Sequence, residues 1–418
     1  MKLKSIYNFL ENVFSLFSVK VIDLAIAIWL IPYLILKVGI QNYGLYAFAI
    51  ALMFFFMNIS NYGFDLVAVR TLAKNTTKNN KQINTIFNEV LSVKIYIIGF
   101  LLLVLLLLNI LLPSFRAHSV LYLFASFLLL SDLFSLRWFF IGVEKMKFLP
   151  VINLLATLIY ALLVLLFVKQ PTDYVYIILF EAVGLITAGA ISFSYVLNEY
   201  QLTIKLLSFK KVMRYMYLNF SSFINLFVPS VLSNVAVLLV GFFSIPTHVS
   251  FMQLGVKFSN AFATMNAILA KVFYPIVNRN KEVMQTSFIV LLITGVLLSV
   301  AMFFSADYLI APWLKLKNEA AIAQVIVIIK ILSPTPFLMS VIAAFGVNGL
   351  LVLEKDTLFG KITIMATLIA VLVGVVLILK YNYLGGALFL LTARGLYALG
   401  SFILFNKKRI FKLITKLK

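Results

Sequence analysis

Apolar runs long enough to cross a lipid bilayer recur along this chain and leave little room for a soluble fold. The hydrocarbon layer of a membrane is about 30 Å thick, which a helix crosses in about 20 residues. Residues 14–36, FSLFSVKVIDLAIAIWLIPYLIL, form the first such run. Five more follow in the first half, at 43–69, 84–112, 120–141, 148–168 and 174–197. The second half gives six, at 217–244, 249–272, 283–306, 320–348, 362–379 and 384–405. Composition agrees, with 63% of residues hydrophobic and 12% charged, against roughly 25% charged in a soluble domain. The expected fold class is an all-α polytopic membrane protein, with 12 transmembrane helices in two six-helix bundles around a central cavity.

The halves are expected as an N-terminal bundle over 1–200, a cytoplasmic amphipathic linker at 201–213, and a C-terminal bundle with a basic cytoplasmic tail over 214–418. The linker sits in NEYQLTIKLLSFKKVM, a basic amphipathic stretch of the kind that lies on a membrane surface. Each half opens with a span, a short outer loop and a second span ending in a basic inner loop. Arg70 and Lys74 close this unit in the first half, and Arg279 and Lys281 close it in the second. Internal repeats of this kind occur in membrane transporters.

A net charge of +21 would point a soluble protein toward nucleic acid, but here the positions of the charges matter more than their sum. With the N-terminus inside, 23 of the 35 Lys and Arg fall in inner segments, counting Lys271 at the inner end of its span. Six fall in outer loops and six within spans. That bias places both termini in the cytoplasm and explains the excess by topology, with no nucleic-acid partner. No cysteine is present, so disulfides and thiolate metal sites are excluded. The start MKLKSIYNFLENVFS lacks a small-residue cleavage site and is expected to be retained.

The basic residues within spans are Lys20, Lys94, Arg137, Lys257, Lys330 and Arg394. Each costs about 2.5–3.5 kcal/mol at mid-membrane, so six unpaired would approach roughly 20 kcal/mol, more than a fold can spare. They must snorkel, pair or face water. Lys20 has Asp23 three residues on, whereas Arg137 has Asp132 only at the poor helical spacing of five. Lys94 and Arg137 lie near enough to span ends for snorkelling. Lys330 and Arg394 lie nearest the middle, with no acidic neighbour in their own spans.

Fewer acidic residues fall within spans: Asp23, Asp65, Glu89, Asp132 and Glu181. The surplus of cations suits a cavity for an anion such as a phosphate, with the six Lys and Arg as its binding residues. Asp23, Asp132 and Glu181 are open to two readings, ion coupling or charge pairing. The tenth span carries ILSPTPFLM, in which Pro334 and Pro336 each remove a backbone donor. A helix break is expected there, one turn after Lys330. Breaks are tolerated in a membrane only beside protein or a wet cavity.

Four stretches carry a family likeness: VGIQNYGLYAFAIAL (38–52), NYGFDLVAVRTLAKN (61–75), IFNEVLSVK (86–94) and WFFIGVEKM (138–146). In the last, Trp138, Gly142, Glu144 and Met146 bear the pattern. Through them the chain resembles the bacterial O-antigen and polysaccharide repeat-unit flippases of the multidrug/oligosaccharidyl-lipid/polysaccharide exporter superfamily. The likeness covers nearly the whole chain and is weaker in the second half. It implies a multi-pass protein of the bacterial inner membrane working by alternating access, without a cofactor. The implied substrate is an anionic lipid-linked oligosaccharide on undecaprenyl pyrophosphate, moved from the cytoplasmic to the periplasmic leaflet. Membrane lipids surround it, and polysaccharide polymerase and chain-length proteins are candidate partners.

The alternative is a cation-coupled multidrug exporter of the same superfamily, with a lipid II flippase third. A membrane-embedded polysaccharide polymerase or ligase is the rival from another class. It would need a sizeable outer loop carrying acid and base groups, and the largest outer segment, around 307–319, has no histidine. Neither a GxxxxGKS/T nor an HExxH sequence occurs, so nothing supports ATP hydrolysis or a zincin site.

Overall fold

The computed structural model describes residues 28–73, 80–314 and 318–416, together with Ile22, Ala25 and Ile26. Every regular element among these residues is helical. Among the described residues eight segments are long and apolar enough to cross a membrane: Ile40–Ala73, Asn80–Leu111, Ser119–Gly142, Phe148–Phe167, Pro171–Glu199, Lys281–Leu314, Glu319–Leu351 and Thr357–Lys407. The last holds two of the expected spans, meeting at Asn382, whose backbone (φ 52°, ψ −127°) is not helical. The seventh and eighth expected spans coincide with helices of 35 and 34 residues.

The chain divides into two compact units, Met1–Asn234 and Val235–Lys418. In the first, the described helices are α1 (Ile28–Val38), α2 (Ile40–Ser60), α3 (Phe64–Ala73), α4 (Asn80–Leu111) and α5 (Pro113–Arg116). They continue as α6 (Ser119–Ser131), α7 (Arg137–Gly142), α8 (Phe148–Phe167), α9 (Tyr174–Glu199) and the first part of α10 (Phe209–Phe243). The α2 helix is the centre, packed on α4, α6 and α9, with Tyr43, Ala47 and Met53 fully buried. Small residues bring α8 and α9 together: a Cβ on Gly184 would lie 2.5 Å from the Ala156 carbonyl oxygen. Close backbone approach is how apolar helices associate where lipid competes equally for apolar side chains. On α8, Val151, Leu155, Leu158, Leu162 and Leu166 form an exposed stripe at helical spacing, suited to face acyl chains.

Two segments drawn as continuous spans are broken. The second span stops at Ser60 and restarts at Phe64 across Asn61–Tyr62–Gly63. Tyr62 and Gly63 both have positive φ, 38° and 80°. The fourth span stops at Ser131, passes through a 3-10 turn at Asp132–Phe134 and an extended Ser135 (ψ 104°), and resumes as α7.

The basic linker runs against α4. Residues 202–208 carry no helix and are bound along α4 instead. Thr203 N–H donates to Asn84 Oδ1 (3.0 Å), Lys205 N–H to Asn88 Oδ1 (2.7 Å) and Leu207 N–H to Ser92 Oγ (2.9 Å). Asn88 Nδ2 also donates to the Thr203 carbonyl (2.8 Å). Four residues of helix advance about 6 Å, close to the roughly 6.6 Å of two extended residues, so the two ladders keep step.

The second unit contains α11 (Pro246–Arg279), α12 (Met284–Leu314), α13 (Glu319–Leu332), α14 (Thr335–Val341), a π-helix at Ile342–Leu351, and α15 (Asp356–Lys416). Here α11 is the centre, in contact with all the others. Between α13 and α14 the helix is interrupted at Ser333 and Pro334, and Pro336 opens α14 in its first turn. Phe288, Phe345, Phe402 and Phe405 interlock at ring distances of 4.9 to 5.6 Å and fix the π-helix to α12 and α15.

Candidate functional site

The two breaks of the first unit open onto one cavity. It has a volume of about 370 Å³ and is lined by Asn58, Asn61, Asp65, Lys94, Asp132, Ser135, Arg137 and Trp138, with Phe54 and Phe227 among its apolar walls. Gly63 is required at its rim. Its φ lies in the left-handed region, and a Cβ there would sit 2.9 Å from the Phe223 backbone nitrogen. Beside it the Tyr62 ring stacks on Phe223 at 4.6 Å and its hydroxyl donates to the Met216 carbonyl (2.9 Å). A smaller void of about 110 Å³ shares Ser135 and Arg137 and adds Asn153 and Ser192.

At the second break, Lys94 reaches from α4 to the end of α6. Its Nζ donates to the Asp132 carbonyl oxygen (2.8 Å) and to Asp132 Oδ2 (3.0 Å), while Ser60 Oγ donates to the same carboxylate oxygen (2.8 Å). Lys94 is 3% exposed, so it pairs rather than snorkels. Asp132 therefore belongs to Lys94 and not to Arg137. Arg137 lies 3.8 Å from Asp65, with its side chain 69% exposed. Asn61 Nδ2 donates to that same Asp65 (3.2 Å). A pair so exposed contributes little stability, which leaves the guanidinium free to meet a ligand. Within this cavity two cations face two carboxylates.

The second unit places its cations differently. Arg394, on α15 beyond the Asn382 break, is buried and donates to Ser259 Oγ (3.3 Å) and Asn260 Oδ1 (3.0 Å) on α11. Among the described residues it has no carboxylate partner. Lys257, half-buried one turn before Asn260, makes no ion pair or hydrogen bond among them either. Gln253, Lys257, Asn260, Thr264 and Lys271 recur at steps of four, three, four and seven, which puts them on one face of α11. That stripe was visible in the sequence as a polar heptad pattern inside an apolar run. Lys330 pairs with Asp307 of α12 at 2.8 Å and lies 5.2 Å from the centre of the Phe303 ring. That partner sits on another helix, where no helical spacing along the sequence connects the two.

Glu181 of α9 accepts from Tyr46 Oη of α2 (2.9 Å), which meets Tyr160 Oη of α8 at 3.4 Å. Lys20 and Asp23 lie outside the described residues. Among the described residues no cluster of His, Asp and Glu suits a metal ion.

Long apolar helices, broken at polar cavities, define a polytopic membrane protein. The chain belongs to the family described as polysaccharide biosynthesis protein, whose model matches residues 9–281. A protein of Escherichia coli (strain K12) described as "Putative O-antigen transporter" is 28% identical over 368 residues, 86% of this chain and 88% of that protein. One of Shigella dysenteriae with the same description is 25% identical over 236 residues, 56% of this chain and 58% of that protein. In fold the chain is similar to the lipid II flippase MurJ in its inward closed conformation (TM-score 0.62, 16% identity, 96% of this chain and 87% of that chain). It is also similar to an inward-facing multidrug resistance MATE family transporter of the MOP superfamily (TM-score 0.66, 12% identity, 93% and 96%).

Proposed function

We propose that this protein is a flippase that moves a lipid-linked oligosaccharide, an O-antigen or capsule repeat unit on undecaprenyl pyrophosphate, from the cytoplasmic to the periplasmic leaflet of the inner membrane. The observation that carries this reading is the likeness, along nearly the full length of both chains, to the Escherichia coli protein described as an O-antigen transporter. In this reading 12 spans form two six-helix bundles around a central cavity, both termini are cytoplasmic, and the bundles rock to expose the substrate to each leaflet in turn. Arg137, Lys257 and Arg394 take the phosphates, since none is locked in a buried ion pair. Cavity amides such as Asn58 and Asn61 and the ring of Trp138 suit sugar hydroxyls and sugar faces. The polyprenyl tail stays in lipid, and polymerase and chain-length proteins take up the product.

Deleting the gene tests this. Surface polysaccharide made by a lipid-linked route should be lost and restored by the wild-type chain. The Arg394→Gln chain, inserted in the membrane at a normal level, should restore less than a tenth of it. Unchanged polysaccharide with altered drug sensitivity would instead favour a multidrug exporter.

A further inference from the structure

The Lys94 ammonium is held by oxygens of the kind that also hold small cations. Its two oxygen contacts are a carboxylate and a main-chain carbonyl of one residue, Asp132, at the point where α6 stops and the backbone leaves the helix. A third oxygen, Ser60 Oγ, lies on the same carboxylate. The C-terminal end of a helix carries partial negative charge. Unwound carbonyls and half-helix ends are the groups that hold small monovalent cations inside membrane transport proteins. The cavity beside them has Asn61 and Ser135 in its wall and a volume of about 370 Å³, room enough for water.

We propose that the Asp132 break is a monovalent-cation site permanently filled by a tethered cation, the side chain of Lys94. The charge balance of the broken helix is then met from within the chain, and the site takes no ion from solution. The other charges at this cavity, Asp65 and Arg137, meet each other rather than Asp132. This inference rests on the local geometry and not on the transported substrate, so its failure and that of the flippase reading are distinguishable.

The test follows thermal unfolding of the full-length chain in detergent, in NaCl, KCl or choline chloride at equal ionic strength. Wild type should unfold at one temperature in all three. Lys94→Ala should unfold earlier in choline and recover several degrees, saturably, in NaCl or KCl. Lys94→Met, whose stem still fills the space, should show no such recovery, and neither should the double variant Lys94→Ala/Asp132→Asn. Equal unfolding of Lys94→Ala in all three salts would overturn the proposal, as would a response that survives removal of the Asp132 charge. Should Lys94→Ala fail to survive purification in choline, folded yield after parallel solubilisation decides. Recovery in NaCl or KCl but not in choline chloride supports the site, and loss in all three salts rejects it.

Discussion

Lys94 and Asp132 form the most deeply buried ion pair among the described residues, with side chains 4% and 9% exposed. Taking two charges out of water is costly, and removing one partner strands the other, at a cost of about 3–5 kcal/mol. Lys94→Ala in a medium without small cations should lose that much stability, measured as the shift of the unfolding midpoint. Adding Asp132→Asn should cost much less than a second loss of that size, because the two residues act as one unit. Arg394 differs in kind: its partners are a hydroxyl and an amide, so its charge remains uncompensated among the described residues. The sequence marked all of these residues, since a charge in a 20-residue apolar run is conspicuous. It could not assign partners, because Asp132 is 38 positions from Lys94 and Asp307 is on a different helix from Lys330.

At the scale of elements, the breaks organise the first unit. Proline announced the interruption near Pro334, whereas the breaks at 61–63 and 132–136 contain none. The first is set by Gly63 and its contact with the 222–223 backbone. Gly63→Ala should therefore destabilise the unit by about 1–3 kcal/mol, a left-handed non-glycine residue costing that much even before the clash. Denaturant unfolding of the purified variant checks it.

The linker is the second case. Its polar and apolar residues suit a membrane surface, and Asn84, Asn88 and Ser92 offer side-chain partners at the spacing the linker backbone needs. Local side-chain bonds of this type compete with helix formation. Asn88→Ala should free the Lys205 amide and the Thr203 carbonyl. Amide hydrogen exchange should then speed at Lys205 by about tenfold, the effect of losing roughly 1.4 kcal/mol of protection, while remote amides of α9 keep their rates.

For the whole molecule, the charge bias predicts orientation directly. A reporter active only in the cytoplasm should work when fused after Lys418 and fail when fused after Lys169, and the reverse pattern would invert the topology. Helical class and the positions of the apolar helices were legible in the sequence, because a bilayer demands about 20 apolar residues per span and internally satisfied backbone bonds. Local composition is enough to meet that demand, so a single chain can reveal it. Ion-pair partners, the unannounced breaks, the π-helix and the course of the linker were decided by tertiary structure alone. Each depends on which helices come side by side, through a glycine that admits a neighbouring backbone or an amide row that matches an extended chain, and such coincidences in space leave no periodic trace along the sequence.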